Sequence, residues 1–230
     1  RVAGRVAHMS EVTITVRGNH EARIAPELGV ARVSVRLDGP ERAAVVAEST
    51  ALAMTLREEM QAHQDAGAIA EWSSDRVSVW SDRPWSQDGT QLPLVHHASI
   101  GARAEFTDFS ALSDWVTRIA DREGITVESV GWALTPERAR LAERDVAGGA
   151  VRGAVERAEA YALAIGRTGV EPLEVADVGL LGRPGGDESG PQPRMMVMAR
   201  DGIGHGEPGL QSEPQPIVVT AAVEARFTAR

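Results

Sequence analysis

The chain has 230 residues, a net charge of -9, no cysteine and no lysine, so all 24 basic residues are arginine. That composition excludes thiolate chemistry, disulfides, thiolate metal sites, Schiff bases and a Walker-type phosphate lysine. The acidic balance, with arginines dispersed among carboxylates as in Glu137-Arg138 and Glu143-Arg144, excludes the basic stripe of a nucleic-acid binder.

No apolar run reaches the ~18 residues of a membrane helix, so no transmembrane segment is expected. Residues 1–8 read as a cloning remnant ahead of Met9. The rest, 9–230, reads as a single domain with a core large enough to need no staples. As the sequence stands the expected location is cytoplasmic; it is periplasmic or secreted if an export signal has been trimmed.

Val12, Ile14 and Val16 alternate with polar or small residues and predict a strand, which Gly18-Asn19 should break. A turn role is therefore expected for His20-Glu21. Ala31, Val33, Val35 and Leu37 predict a second strand, ended by Asp38-Gly39-Pro40. Pro40 suits the first position of a helix reaching about residue 65, with Val45, Ser49, Leu52, Leu56 and Met60 on one face. Short strands are expected near 68–73 and 75–81, then a polar turn region from Pro84 to Pro93 with Asp88-Gly89 at its tip.

A long strand over about 94–106 should place His96, Ala98, Ile100, Ala102, Ala104 and Phe106 on one face. A helix over 108–123 turns Leu112, Val116 and Ile119 inward and stops at Gly124. After a strand over 125–134, Thr135-Pro136-Glu137 opens the longest helix. Its expected stripe is Val151, Val155, Ala158, Ala162 and Ile165. Gly148, Gly149 and Gly153 inside it each cost up to ~1 kcal/mol relative to Ala, which close packing against the sheet or a second helix would offset, a kink or hinge being the alternative. A strand follows at 172–181. Residues 182–193 and 201–216 read as mobile loops, with Met195 to Met198 docking briefly between them. The strand from Ile217 closes the chain.

This order predicts an α+β fold: helices layered on a mostly antiparallel or mixed sheet, one helix being long and rich in Ala and Gly. Four segments carry a family resemblance. They are Ile14-Thr15-Val16-Arg17-Gly18 with Ala25-Pro26-Glu27, the run from His96 through Phe106-Thr107-Asp108-Phe109, Gly124-Ile125 to Leu134 with the helix carrying Ala154, Ala158, Ala162 and Gly166, and the strand opening at Pro216-Ile217. In order and spacing the chain resembles the SIMPL domain family, a bacterial domain of unknown function. The aromatic usual in the long strand stands here as Ile100-Gly101, and a glycine before the last strand is missing. The resemblance implies the α+β fold, self-assembly or protein association, and a stress or envelope setting. It brings no catalytic residues.

The residues themselves nominate little chemistry. His96 and His97 are adjacent on a strand and point to opposite faces, so they do not chelate one metal. A ligand-binding or catalytic pocket would need His63, Asp82, His96 or His97 to converge. No metal, cofactor or catalytic residue is expected otherwise. Gly202-Ile203-Gly204-His205-Gly206 lacks the strand and helix of a phosphate loop. Trp85, beside Arg83 and Pro84, is an exposed-aromatic candidate of the type that anchors interfaces, whereas Trp80 should pack in the sheet. Gly149 and Gly153 share a helix face and are the second candidate interface. Non-enzymatic association, as a homo-oligomer or with a protein partner, is the leading expectation. A small-ligand or enzyme pocket near the histidines is the alternative.

Overall fold

A computed structural model describes residues 11–181, 197–198 and 214–230. The expected loop 182–193, and the expected loop 201–216 except for residues 214–216, lie outside the described residues. The order is β1 (Val12–Ile24), β2 (Leu28–Gly39), α1 (Arg42–Asp65), β3 (Ile69–Ser74), β4 (Ser78–Asp82), β5 (Val95–Phe106), α2 (Phe109–Ala120), β6 (Ile125–Ala133), α3 (Pro136–Ala164), β7 (Val170–Asp177), β8 (Val197–Met198) and β9 (Ile217–Ala229). The fold is α+β, as the alternation of periods predicts. The residues read as one domain over 9–230 cluster in two compact units, each with its own sheet.

One unit comprises Ala25–Thr135 and, from late in the chain, the described residues 214–217. Its sheet runs β3-β5-β2-β6, and β4 pairs the same side of β5 as β3. All these pairings are antiparallel. Ala31, Val33 and Val35 of β2 and Ile100, Ala102, Ala104 and Phe106 of β5 turn one face inward. Two helices cover that face: α1 through Leu56 and Met60, α2 through Leu112, Trp115 and Ile119. Gly29 lets α2 come close, since a Cβ there would lie 2.4 Å from Leu112.

Asp108 caps α2 by accepting from the N–H groups of Ser110 and Ala111 at 2.9 and 3.1 Å. Val116, expected inward, is only partly buried, and Trp115 takes the centre. At the head of α1, Glu41 is the flanking residue and Arg42 the first helical one, so Pro40 stands two positions before the helical start it was expected to occupy.

The other unit joins the two ends of the described chain: β1, α3, β7, β8 and β9. Its sheet runs β1-β9-β7, with β7 and β8 pairing β9 antiparallel. The brief docking expected near Met198 is the β8 pair with Val218 and Val219. The break expected at Gly18-Asn19 does not occur, and β1 continues to Ile24. Gly18 is in the strand because α3 lies against it: a Cβ there would sit 2.0 Å from the Ala150 carbonyl oxygen and 2.5 Å from the Ala154 nitrogen. A glycine read as a turn signal is instead a contact between backbones.

The same closeness corrects the stripe of α3. Its buried residues are Ala142, Val146, Gly149, Ala150, Ala154, Ala158 and Ala162. Val151 and Val155 are half-buried, and Ile165 lies past the helix end and is exposed. Steps of four from Ala142 to Ala162 form a ridge of small side chains. Only small residues fit where a helix approaches a strand this tightly, so the larger apolar residues were the wrong guide to the inner face.

Candidate functional site

The four side chains of the candidate pocket do not meet. Register pairs Trp80 with His97, Ser81 with His96 and Asp82 with Val95. Strand alternation then separates the histidines. His96 Nδ1 lies 2.6 Å from the Ser81 hydroxyl. His97 Nε2 lies 3.3 Å from Asp82 Oδ1, and its ring stacks on Trp80 with centroids 5.2 Å apart. His63 stands at the other end of β5, edge-on to Phe106 at 5.8 Å and 3.4 Å from an Arg118 nitrogen. Ten residues of strand from Phe106 to His96 are roughly 30 Å. Only Asp82 and His97 of the four come together. Among the described residues no three His, Asp or Glu side chains gather as metal ligands.

The aromatic candidate is differently placed. Residues 83–94 are not a loose turn. Trp85 forms a bridge with Gln91, Leu92 N–H donates to the Pro84 carbonyl at 2.8 Å, and Ser86 N–H donates to the Thr90 carbonyl at 2.8 Å. Gly89 turns the tip with φ +76°, as Asp88-Gly89 predicts. This backbone ladder holds Trp85 out, 69% exposed, with Arg83 exposed beside it. Trp80, expected to pack, pairs within the sheet and stacks on His97, yet is 46% exposed. Val77, Leu92 and Leu94 are exposed as well.

Five large apolar side chains thus crowd into residues 77–94. Among the described residues, β4 pairs with β5 alone, which leaves its other edge free. Sequence reading found Trp85 and missed the edge. The signal was Ser78-Val79-Trp80-Ser81-Asp82, a strand too polar on both sides for the middle of a sheet.

The glycine candidate is already occupied. A Cβ on Gly149 would lie 2.4 Å from the His20 ring, and one on Gly153 would lie 3.4 Å from the Asn19 carbonyl oxygen. Both glycines face β1 within their own unit. His20, expected in a turn, is a strand residue laid over Gly149.

A charged cluster that the sequence did not suggest holds the end of β7. The Arg17 guanidinium donates to Glu224 Oε1 at 2.9 Å, and Gly179 N–H donates to its Oε2 at 3.0 Å. Arg226 donates to Glu174 at 2.8 Å and to the Leu181 carbonyl at 3.2 Å. The Arg17 hydrogen bond first, then the Gly179 N–H, hold the Glu224 carboxyl below the usual carboxylate range. A lowered pKa in the folded state means stability that is present above the ordinary carboxylate pKa and is lost as pH falls through the folded one. Melting temperatures from pH 7 to pH 3 should therefore show Glu224→Gln less stable than the parent at neutral pH. The gap should close towards pH 3. A gap of constant size across the range would show that the charge contributes nothing.

Among the described residues no helix is long and apolar enough to cross a membrane. No curated protein matches the chain. The family model of SIMPL, described as a protein of unknown function (DUF541), matches residues 14–227, from within β1 to within β9. Spanning both sheets and all three helices of the described residues, that match shows that the chain belongs to the SIMPL family.

Proposed function

We propose that this chain is a non-enzymatic association domain that binds a second copy or a protein partner along the β4 edge and the Trp85 hairpin. The observation that carries the reading is a 69% exposed tryptophan fixed in place by its own backbone ladder. A hairpin whose backbone is already ordered loses less entropy on binding than a loose loop, and exposed Trp with neighbouring Arg is the composition of an interface anchor. The free edge of β4 adds backbone donors and acceptors for strand addition. The separation of His63 and His96 from the Asp82–His97 pair speaks against the alternative pocket. By analogy with the family, the setting is stress or the cell envelope.

The test is a photo-reactive phenylalanine at position 85 in living cells, with exposed Arg144 as control site. We expect a discrete adduct at 85, to a second copy or to one protein, and none at 144. That protein should then bind the purified chain, with Trp85→Ala costing about tenfold or more in affinity. Equal labelling at the two sites, or unchanged affinity, would refute the proposal.

A further inference from the structure

We infer that the outer face of α1 is a homodimer contact, in which two copies of this helix cross antiparallel about a two-fold axis near Thr50. This surface shares no residue with the β4 edge or the Trp85 hairpin.

A helix that covers a core normally shows charged and polar residues on its other side. α1 buries Val45, Ser49, Ala53, Leu56 and Met60, yet it carries a second apolar row. Arg42, Val46, Thr50, Met54 and Glu58 follow one another at steps of four, with Ala43, Ala47 and Ala51 alongside. Met54 is 54% exposed, and the three alanines are exposed. The hydroxyls of Thr50 and Thr55 donate back to the carbonyls of Val46 and Ala51, at 2.7 and 3.3 Å. Their donor hydrogens are thus already used, so these threonines present methyl groups at a reduced desolvation cost. The face is therefore more apolar than its sequence, and a shallow, open hollow runs along it between Val46, Thr50 and Met54 on one side and Ala43, Ala47 and Ala51 on the other, with Val46 half-buried.

The occupant follows from the charges. The row begins with Arg42 and ends with Glu58, and neither has an ion-pair partner among the described residues. A second copy lying parallel would set Arg42 on Arg42 and Glu58 on Glu58. Turned antiparallel about Thr50, it sets Arg42 against Glu58 at both ends and Val46 against Met54 twice. A sequence that is its own complement under a two-fold rotation fits an isologous contact. Rows at steps of four on both helices interdigitate at a crossing of about -50°, which lays the two ridges side by side. The row spans roughly 24 Å. One helix pair is a small interface, so we expect a dimer that forms over tens of micromolar, roughly.

Sedimentation equilibrium over roughly 1–500 µM tests this, on protein carrying Trp85→Ser so that association through the β4 edge is silenced. We expect a monomer–dimer equilibrium that weakens at least tenfold with Ala47→Glu and, separately, with Met54→Glu. Arg42→Glu and Glu58→Arg should each weaken it several-fold, and the double swap should return it to near the parent value. Both swaps also suit the helix dipole, an acid in the first turn and a base towards the end, so lost association would not reflect lost helix; circular dichroism checks that. A monomer at every concentration overturns the inference. So does a dimer indifferent to Ala47→Glu and Met54→Glu, single swaps without effect, or a double swap that fails to recover. None of these outcomes would touch the Trp85 reading, which is scored by cross-linking at position 85.

Discussion

Trp115→Ala should cost about 3–5 kcal/mol, the range for deleting a large aromatic from a core, and it should do so by loosening one unit. Trp115 is fully buried, 5.4 Å from Phe106 by ring centroids, between α2 and the inner face of the β2–β5 pair. Removing the indole leaves a cavity lined by rigid strands, which relax little into it. Its Nε1 has no hydrogen-bond partner among the described residues, so Trp115→Phe removes an unpaired donor along with volume, and the two effects oppose each other. The Phe variant should therefore lose much less than the Ala variant.

Urea unfolding followed by circular dichroism gives both values. Amide exchange locates the damage, which should concentrate in residues 25–135. Total stability of a domain is about 5–15 kcal/mol, so the Ala variant should be visibly marginal at 37 °C. Equal losses for Phe and Ala would mean that the indole acts through its N–H and not through its volume.

Elements held by a single strong periodicity were legible in the sequence, and elements held by close approach were not. β5 alternates over its whole length, and the face expected from His96 to Phe106 is the one that turns to the core from Ala98 onward. α1 carries large residues on its inner face, so Val45, Ser49, Leu56 and Met60 were all found. In α2 the spacing pointed to Val116, one residue from the true centre at Trp115. A tryptophan's size decides which neighbour claims the core, and spacing alone does not carry that.

Apolar ranking failed in α3 because it favours Val over Ala, while the packing there favours Ala over Val. β1 was cut short because glycine marks a turn and a backbone contact equally well. Of the proposed association surface, the exposure of Trp85 was legible from its polar, proline-flanked surroundings. The free edge of β4 depends on which strands stand beside β5, and pairing is not written in any local pattern. The apolar row of α1 was in plain view at steps of four, but one helix face in use drew attention from the other.

Gly18→Ala should destabilise by about 1–3 kcal/mol and Gly18→Val by more, which is overpacking where nothing can give way. The added Cβ would meet the Ala150 carbonyl oxygen at 2.0 Å, the Ala154 nitrogen at 2.5 Å and the Ala154 methyl at 2.8 Å. Two of these atoms are backbone of α3, so relief requires moving the helix off β1. The Arg157 guanidinium donates to the Arg17 carbonyl at 2.8 Å beside this point, and that bond would be stretched by the same movement. The controls lie on the facing helix. Gly153 has its nearest neighbour, the Asn19 carbonyl oxygen, at an ordinary 3.4 Å. Gly153→Ala therefore fits and, by narrowing the unfolded ensemble, should stabilise by about 0.4–1 kcal/mol. Gly149→Ala falls between, since the His20 ring over it is exposed and can turn but its Cβ, 2.9 Å away, cannot. Denaturant midpoints should then rank Gly153→Ala above the parent, the parent above Gly149→Ala, and Gly18→Ala lowest, independently of protein concentration. A Gly18→Ala protein as stable as the parent would mean that β1 and α3 do not touch there, and an order that changed with concentration would place this face between subunits instead of within one unit.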